Sequence, residues 1–390
     1  PPEMLFVAVL CLLLGVALSY DITCMYPESM FGGGDVHLYL RGNVAPLNWD
    51  EGVLMTKTDT DTWTYTLEGD VSVEQRVKVL ISDREYSVGS DLVVEAGLTN
   101  AIVTPFWDTS KGEWFYSFNT VYSPELGNNR YYSVYMSPLM IENPHAVAKH
   151  LLIMQDGENL FTPSTDASYH VCPTASGCAL YGSLDLDATL DTEIHSGQVA
   201  SDTIVLGLFS TDDRENEYTP TYDFTEEIGG KGDLYLNFIA DTVIPNLDAI
   251  LGQGLAAPEP ENIVLMGAEL GGLISAYAGL ARATDAEGNL VWGGAGAMSG
   301  TFEWDNEDMY NTVIPNNEFN ENVRIWLDSG ANDDNAFETV KVETALVAEG
   351  YTMTGSNPTL GYKMQKNGYP TEEDWGKRIK YSLQFFFQLT

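Results

Sequence analysis

Ile263-Val264-Leu265-Met266-Gly267-Ala268-Glu269-Leu270-Gly271-Gly272-Leu273 is the stretch on which the reading of the chain turns. Four apolar residues run into a glycine-bounded corner, and Leu273-Ile274-Ser275-Ala276-Tyr277-Ala278 continues in helix-compatible form. Strand, sharp turn and helix in that order describe a nucleophile elbow, a strained corner that lifts one side chain clear of a sheet. Glycines flank it because strand and helix backbones approach closely there. In G-x-S-x-G the middle residue is serine. In Gly267-Ala268-Glu269-Leu270-Gly271 it is Glu269, so the corner is predicted and its hydroxyl is missing.

Around this corner, from about Ser117 onward, strand-like runs alternate with helical ones. Tyr131–Tyr135, His150–Met154, Thr203–Leu208, Asn262–Met266 and Val323–Leu327 read as strands. Leu234–Ile250, Leu273–Ala281, Val340–Glu349 and Trp375–Phe387 read as helices. Apolar strands separated by helices predict an α/β domain with a doubly wound, mainly parallel sheet. Residues 165–200 interrupt the pattern as an insertion or cap-like excursion.

Several motifs in this half carry a resemblance. They are Ser123-Pro124-Glu125-Leu126-Gly127, Arg130-Tyr131-Tyr132-Ser133-Val134-Tyr135 and Asp156-Gly157-Glu158-Asn159-Leu160-Phe161. Asp213-Arg214-Glu215-Asn216-Glu217-Tyr218-Thr219-Pro220, Gly229-Gly230-Lys231-Gly232-Asp233 and Ala297-Met298-Ser299-Gly300-Thr301-Phe302 follow in order. Residues 118–390 thereby resemble the enterochelin-esterase and esterase D-like branch of the α/β-hydrolases. The resemblance implies that fold, an oxyanion-like set of backbone N–H groups at Gly157, Glu158 and Leu270, and a triad in chain order serine, acid, histidine. In such a triad the hydroxyl attacks, the imidazole takes its proton and the carboxylate fixes the tautomer.

Here the serine position is Glu269, and the acid position is retained as Asp333 or Asp334. The histidine position, before Thr371-Glu372-Glu373-Asp374-Trp375, is Pro370. A census agrees without alignment: His37, His145, His150, His170 and His195 all precede the elbow. Ser299 matches a serine on the strand after the elbow helix and does not replace the nucleophile. The triad is therefore read as degenerate and no catalytic residue is expected. Two other readings stay open. One is an upstream base, His170 or His195, swinging in beside Glu269. The other is a cation, calcium by preference, bridging Glu269 and Asp333 or Asp334, where like charges crowd together. No other cofactor is expected.

Upstream the texture is short strands and turns from Val36 to about Trp114, with Gly, Asp and Asn between, which predicts a small all-β sandwich. Leu40-Arg41-Gly42-Asn43, Leu47-Asn48-Trp49-Asp50, Asp61-Thr62-Trp63 and Val77-Lys78-Val79-Leu80-Ile81 resemble the starch-binding family of carbohydrate modules. That resemblance implies sugar stacking on Trp49, with Tyr86 as the second aromatic and Trp63 as a further candidate. Aromatic faces suit the C–H face of a pyranose. The bland alternative places Trp49 and Trp63 in the sandwich core.

The apolar run Leu5–Ser19 is shorter than a membrane span and ends in Ala17-Leu18-Ser19, a small-x-small cleavage pattern. It reads as a secretory signal cut before Tyr20, with Met4 as its start; an uncleaved anchor is the alternative. A linker-like segment ending in Phe31-Gly32-Gly33-Gly34 is expected next. Cys172 and Cys178 enclose a tight loop that an oxidising compartment can close as a disulfide, leaving Cys24 free or paired between chains. With 57 acidic against 18 basic residues, the net charge of −39 argues against nucleic acid and anionic membrane as partners. It suits a solubilising acidic surface, saline surroundings or a matrix rich in divalent cations.

These readings together describe a leader at 1–19, a sandwich at 20–117 and an α/β-hydrolase domain at 118–390. The expected protein is secreted and extracellular, an esterase-like pseudoenzyme that binds a glycan or extracellular partner and is not integral to a membrane. The rivals are an active ester hydrolase with a Glu269-based site, and an acidic structural protein of an extracellular coat.

Overall fold

The computed structural model describes residues 19–26, 36–68, 75–87, 91–94, 100–105, 107, 111–143, 146–163, 170–252 and 254–388. The expected leader (apart from Ser19) and the glycine-rich segment at 31–34 lie outside them. Described residues up to Trp107 form one compact unit and those from 111 onward another. The boundary falls about ten residues before the expected 117/118, because Glu113–Tyr116 (β10) joins the large sheet of the second unit.

The first unit is two sheets sharing one core. Strands Ser19–Met25 (β1), Leu38–Gly42 (β2), Val53–Leu54 (β3), Thr56–Asp59 (β4), Thr62–Glu68 (β5), Gln75–Ile81 (β6), Glu85–Tyr86 (β7), Leu92–Val94 (β8) and Asn100–Val103 (β9) build it. Their orders are β4-β5-β1-β9 and β3-β2-β6-β7, with β8 also on β6. β1 corrects the expectation that the chain after the leader is linker. It pairs antiparallel with β5 from Ser19↔Glu68 to Met25↔Thr62 and parallel with β9. Alternate residues Tyr20, Ile22 and Cys24 point inward and are buried. Cys24 is a free, fully buried thiol, and burial pushes its pKa far up. Of the two fates left open for it, pairing between chains would require opening the core.

The second unit centres on an eight-stranded sheet. Beside β10 it holds Tyr132–Met136 (β13), His150–Gln155 (β14), Thr203–Leu208 (β15), Ile263–Ala268 (β18), Gly294–Met298 (β19), Arg324–Gly330 (β20) and Leu360–Gln365 (β21). The hairpins Val121–Ser123/Asn128–Arg130 (β11, β12) and Tyr222–Asp223/Ile228–Gly229 (β16, β17) stand apart from it. The order is β10-β13-β15-β14-β18-β19-β20-β21; β13 pairs antiparallel with both β10 and β15, and the six strands from β15 to β21 are parallel to one another.

Apolar residues on both faces of each central strand account for the layers. Leu151, Ile153, Ile263 and Leu265 point to one core, and Leu152, Met154, Val264 and Met266 to the other. Each such side chain contributes about 1.5–3 kcal/mol when fully buried. The first core lies under the helices Leu270–Ala281 (α2) and Ala336–Glu349 (α3). The second lies under Leu186–His195 (α1) and Glu372–Phe387 (α4). A mainly parallel sheet covered on both faces, with a strained corner after a central strand, is the α/β-hydrolase fold that the sequence predicts. The helical run Gly232–Leu251 is long and apolar enough to cross a membrane, yet here Tyr235, Leu236, Phe238, Ile239 and Val243 turn into the core. The excursion at 165–200 contains α1 and the closed disulfide Cys172–Cys178, whose Cα atoms are 5.5 Å apart.

Candidate functional site

Parallel strands deliver their C-terminal ends to one edge of a sheet, and ligands of open α/β sheets bind in the crevice outside that edge. Asp156 follows β14, Ser210, Thr211, Asp212 and Arg214 follow β15, Glu269 follows β18, and Pro370–Glu372 come after β21. All of them line one pocket of about 700 Å³.

The corner is built as the glycines require. A Cβ on Gly267 would stand 2.6 Å from the Gly271 carbonyl carbon and 2.8 Å from Gln155 Cβ. Glu269 takes φ 51°, ψ −118°, a backbone that non-glycine residues rarely adopt, and caps α2 without a side-chain hydrogen bond. Its N–H donates to Met298 O (3.0 Å) and its C=O accepts from Thr301 N (3.1 Å), which fixes the turn against the neighbouring loop. The Glu269 side chain opens into the pocket. The walls around it nevertheless disfavour charge and raise its pKa; Arg214 opposes the rise, while Asp156, Glu372 and Asp334 add to it.

Beside it, Arg214 grips Asp156 with two hydrogen bonds, Nε–Oδ1 at 2.7 Å and Nη2–Oδ2 at 2.8 Å. Asp156 sits in the left-handed region (φ 53°), where it opens the short turn Gly157–Asn159. Glu158 turns its carboxylate onto its own backbone N–H and onto Ser210, whose N–H donates at 3.0 Å and whose hydroxyl donates as well. Burial, then the charge of Asp156, push its pKa up to about 7, against the pull of those donors.

A folded-state pKa above the ordinary carboxylate value means that the protonated form stabilises the fold. That contribution is full at low pH and is lost as pH rises through about 7. The urea midpoint of the protein should therefore fall between pH 5.5 and about 8, and Glu158→Gln should flatten the fall. Equal slopes in the two proteins would show that Glu158 is not the titrating group.

The expected triad positions converge in part. Glu269 and Pro370 line the same pocket, and Asp334 lies behind it, not in its lining. Asp334 is buried; its Oδ2 accepts from Gly330 N and lies 3.4 Å from Arg378 Nη2. Arg378 also binds Asp328 through Nε (2.8 Å) and Ser299 Oγ through Nη2 (2.7 Å). The acid position is thus answered by a structural arginine, not by an imidazole. Asp333 is exposed and outside the lining. Ser299 is fully buried, with Oγ accepting from Trp375 Nε1 and Arg378, and is no nucleophile.

Of the backbone groups expected to be oxyanion-like, Glu158 alone belongs to a lining residue, and its N–H faces its own carboxylate. Gly157 is buried against Gly207, and neither it nor Leu270 is a lining residue.

No described histidine lines the pocket. His170 is stacked on Trp114 with ring centroids 3.8 Å apart, its Nε2 lies 3.0 Å from Trp114 O, and burial lowers its pKa to about 4. His195 closes α1, and His150 pairs with Asp202. His145 lies outside the described residues. Among the described residues no group of three or more His, Cys, Asp or Glu side chains is placed to hold a metal ion.

In the first unit the candidate aromatics separate. Trp63 is 1% exposed and stands in the core with Ile22, Leu40 and Val79, which corrects its assignment to sugar binding. Trp49 (40% exposed) and Tyr86 (47%) open to solvent. Arg41 fastens them at one edge: Nη1 donates to Trp49 O (2.8 Å) and to Tyr86 Oη (2.7 Å), and Nε donates to Asp83 (2.9 Å).

Sequence reasoning missed the Asp156–Arg214 clamp, the wall residue Tyr181 and the buried Glu372. The clamp and Glu372 were within reach, because they lie in the motifs named above; nothing in the sequence marks Tyr181.

No family model and no curated protein matches the chain. Among solved structures it is similar to a ferulic acid esterase at 13% identity, with a TM-score of 0.48, covering 71% of this chain and 98% of that one. It is also similar to the enterobactin esterase of Shigella flexneri, solved in the presence of enterobactin, at 14% identity, with a TM-score of 0.48 and 94% and 91% coverage. A third is an IroE-like serine hydrolase of Shewanella oneidensis, at 16% identity, with a TM-score of 0.46 and 70% and 80% coverage.

Proposed function

We propose that this chain is a secreted binding protein on an α/β-hydrolase scaffold, without the acyl-transfer chemistry of a triad, and that its ligand is a glycan. One observation carries the first part. The elbow holds its strained geometry but presents Glu269, and no described histidine lines the pocket around it. Without nucleophile and base, only binding and stray dipoles are left to act on an ester. A carboxylate nucleophile would still need a base to release its ester intermediate. Glu269 accepts no side-chain hydrogen bond from any described residue.

The glycan part is supported by Trp49 and Tyr86, two exposed aromatic side chains at one edge, where Arg41 holds the Trp49 backbone carbonyl and the Tyr86 hydroxyl. Sugars stack on such surfaces with little loss of side-chain freedom. Secretion is supported by the leader-like run at 5–19 and by the closed Cys172–Cys178 loop, since disulfides persist in oxidising compartments.

The test is hydrolysis of short-chain p-nitrophenyl esters by the wild type, Glu269→Ala and Glu269→Ser, alongside a glycan array. The expected result is no turnover above buffer in the wild type or Glu269→Ala, with array signals that Trp49→Ala and Tyr86→Ala remove. Turnover that disappears in Glu269→Ala would overturn the non-catalytic reading and make Glu269 a working carboxylate.

A further inference from the structure

Three residues of the pocket wall, Thr174, Ser176 and Gly177, belong to the loop closed by the Cys172–Cys178 disulfide, and Leu180 and Tyr181 directly after it continue the same wall. The two stretches are held differently. From Ala179 onward the chain is bonded to the turn after β14. Ala179 N–H donates to Glu158 O (3.0 Å), Leu184 N–H to Asn159 O (3.0 Å) and Leu186 N–H to Leu160 O (3.1 Å). Among the described residues, the hydrogen bonds of 172–177 stay within the loop. Gly177 N–H donates to Thr174 O (3.2 Å), Thr174 Oγ1 donates to Gly177 O (3.3 Å), and Cys172 Sγ lies 3.2 Å from Thr174 Oγ1. Ala175 and Ser176 are exposed.

On the upstream side the nearest fixed point is His170, stacked on Trp114. Between His170 and Ala179, packing aside, the disulfide is what ties the two arms of the loop together. It holds the two Cα atoms 5.5 Å apart across a separation of six residues. An extended chain advances about 3.3–3.6 Å per residue, so without the link the arms have far more room. A crosslink acts by removing that freedom. Cys178 is 8% exposed and sits in the second core, and Cys172 is the more open of the two.

We propose that the Cys172–Cys178 disulfide is a latch on the pocket. Closed, it holds 173–177 as an outer wall that limits the size of what reaches Glu269. Reduced, it lets that loop move away and the pocket widen, while the sheet and the elbow stay as they are. The reductant is a dithiol. Its thiolate bonds to Cys172 Sγ as the S–S bond breaks, and Cys178 leaves as a thiolate and takes up a proton. The second thiol of the reductant then displaces Cys172 as a thiol and closes the reductant's own disulfide. The inference stands whatever ligand the pocket takes.

Two measurements on the full chain test it. Hydrogen exchange of the native protein with dithiothreitol should be faster by about tenfold or more at 172–178, with α2 and the eight-stranded sheet unchanged. Glu269→Cys places a thiol at the elbow, and its alkylation is timed with the disulfide present and in Cys172→Ser/Cys178→Ser. Cys24, fully buried, stays silent. N-ethylmaleimide should react alike in the two backgrounds, whereas N-pyrenylmaleimide, the same reactive group on a bulky ring system, should react roughly tenfold faster without the disulfide. Equal rates for the pyrene reagent, or equal acceleration of both reagents, would overturn the proposal. So would exchange that quickens throughout the sheet, which would make the disulfide a staple of the fold, or a disulfide that dithiothreitol leaves intact in the folded protein.

Discussion

An Arg378→Met variant is expected to lose about 3–5 kcal/mol of unfolding free energy at neutral pH, the range seen when one partner is removed from a buried ion pair. Arg378 is the cation between two fully buried carboxylates, Asp328 and Asp334, and it also bonds to Ser299 and to Gln365 Oε1. Asp328 keeps a second donor in Trp326 Nε1 (2.9 Å), and Asp334 keeps Gly330 N, but neither retains a counter-charge.

The sign of the pH dependence follows. Burial already raises both carboxyl pKa values, and Arg378 pulls each of them back. Without it they climb further, so the variant's deficit is largest where the carboxylates are forced to ionise and shrinks as falling pH protonates them. Urea unfolding at pH 7.5 and pH 5 measures both quantities. A loss below about 1 kcal/mol, or one that does not narrow at the lower pH, would mean that the arginine is packing rather than charge compensation.

The second large effect separates two tryptophans that look alike in the sequence. Trp63→Ala should destabilise the first unit by about 3–5 kcal/mol, the usual range for emptying a buried indole site. Trp63 lies on β5 opposite Cys24 of β1, so the loss should appear as faster hydrogen exchange along β1, β5 and β9. Trp49→Ala should stay within about 0.5 kcal/mol of wild type, because nearly half of its side chain is in water and Arg41 holds its backbone carbonyl rather than its ring. If Trp49→Ala unfolded the sandwich as readily as Trp63→Ala, its ring would be a core element and the proposed sugar platform would be lost.

That pair also shows what the sequence made legible and what it hid. Trp63-Thr64-Tyr65-Thr66-Leu67 alternates, and its burial puts Trp63 and Leu67 inside, so the period of two was enough to assign Trp63 to the core. Motif resemblance pulled the other way. The elbow was legible because only glycines permit the approach of Gly267 to Gly271, and that no described histidine lines the pocket agrees with the order of the histidines in the sequence.

β19 was not. Gly294-Ala295-Gly296-Ala297-Met298 has neither β-branched nor aromatic residues, and its strand state comes from pairing with β18 and β20. Its residues are small because α2 lies almost on top of it: a Cβ on Gly279 would stand 2.5 Å from Ala295 Cβ. β1 was hidden by its position at the end of the apolar run that begins at Leu5, where strand and linker are not told apart by a short run.

The corner at Glu269 has a last consequence. Its left-handed backbone stores about 1–3 kcal/mol of strain, held in place by the strand before it, the helix after it and two main-chain bonds. None of those restraints involves the side chain, which projects into open pocket. Position 269 therefore behaves as a socket. The scaffold fixes where the group stands, and the residue alone decides which chemistry is displayed there, so one codon can exchange a hydroxyl for a carboxylate without a change in the architecture that presents it.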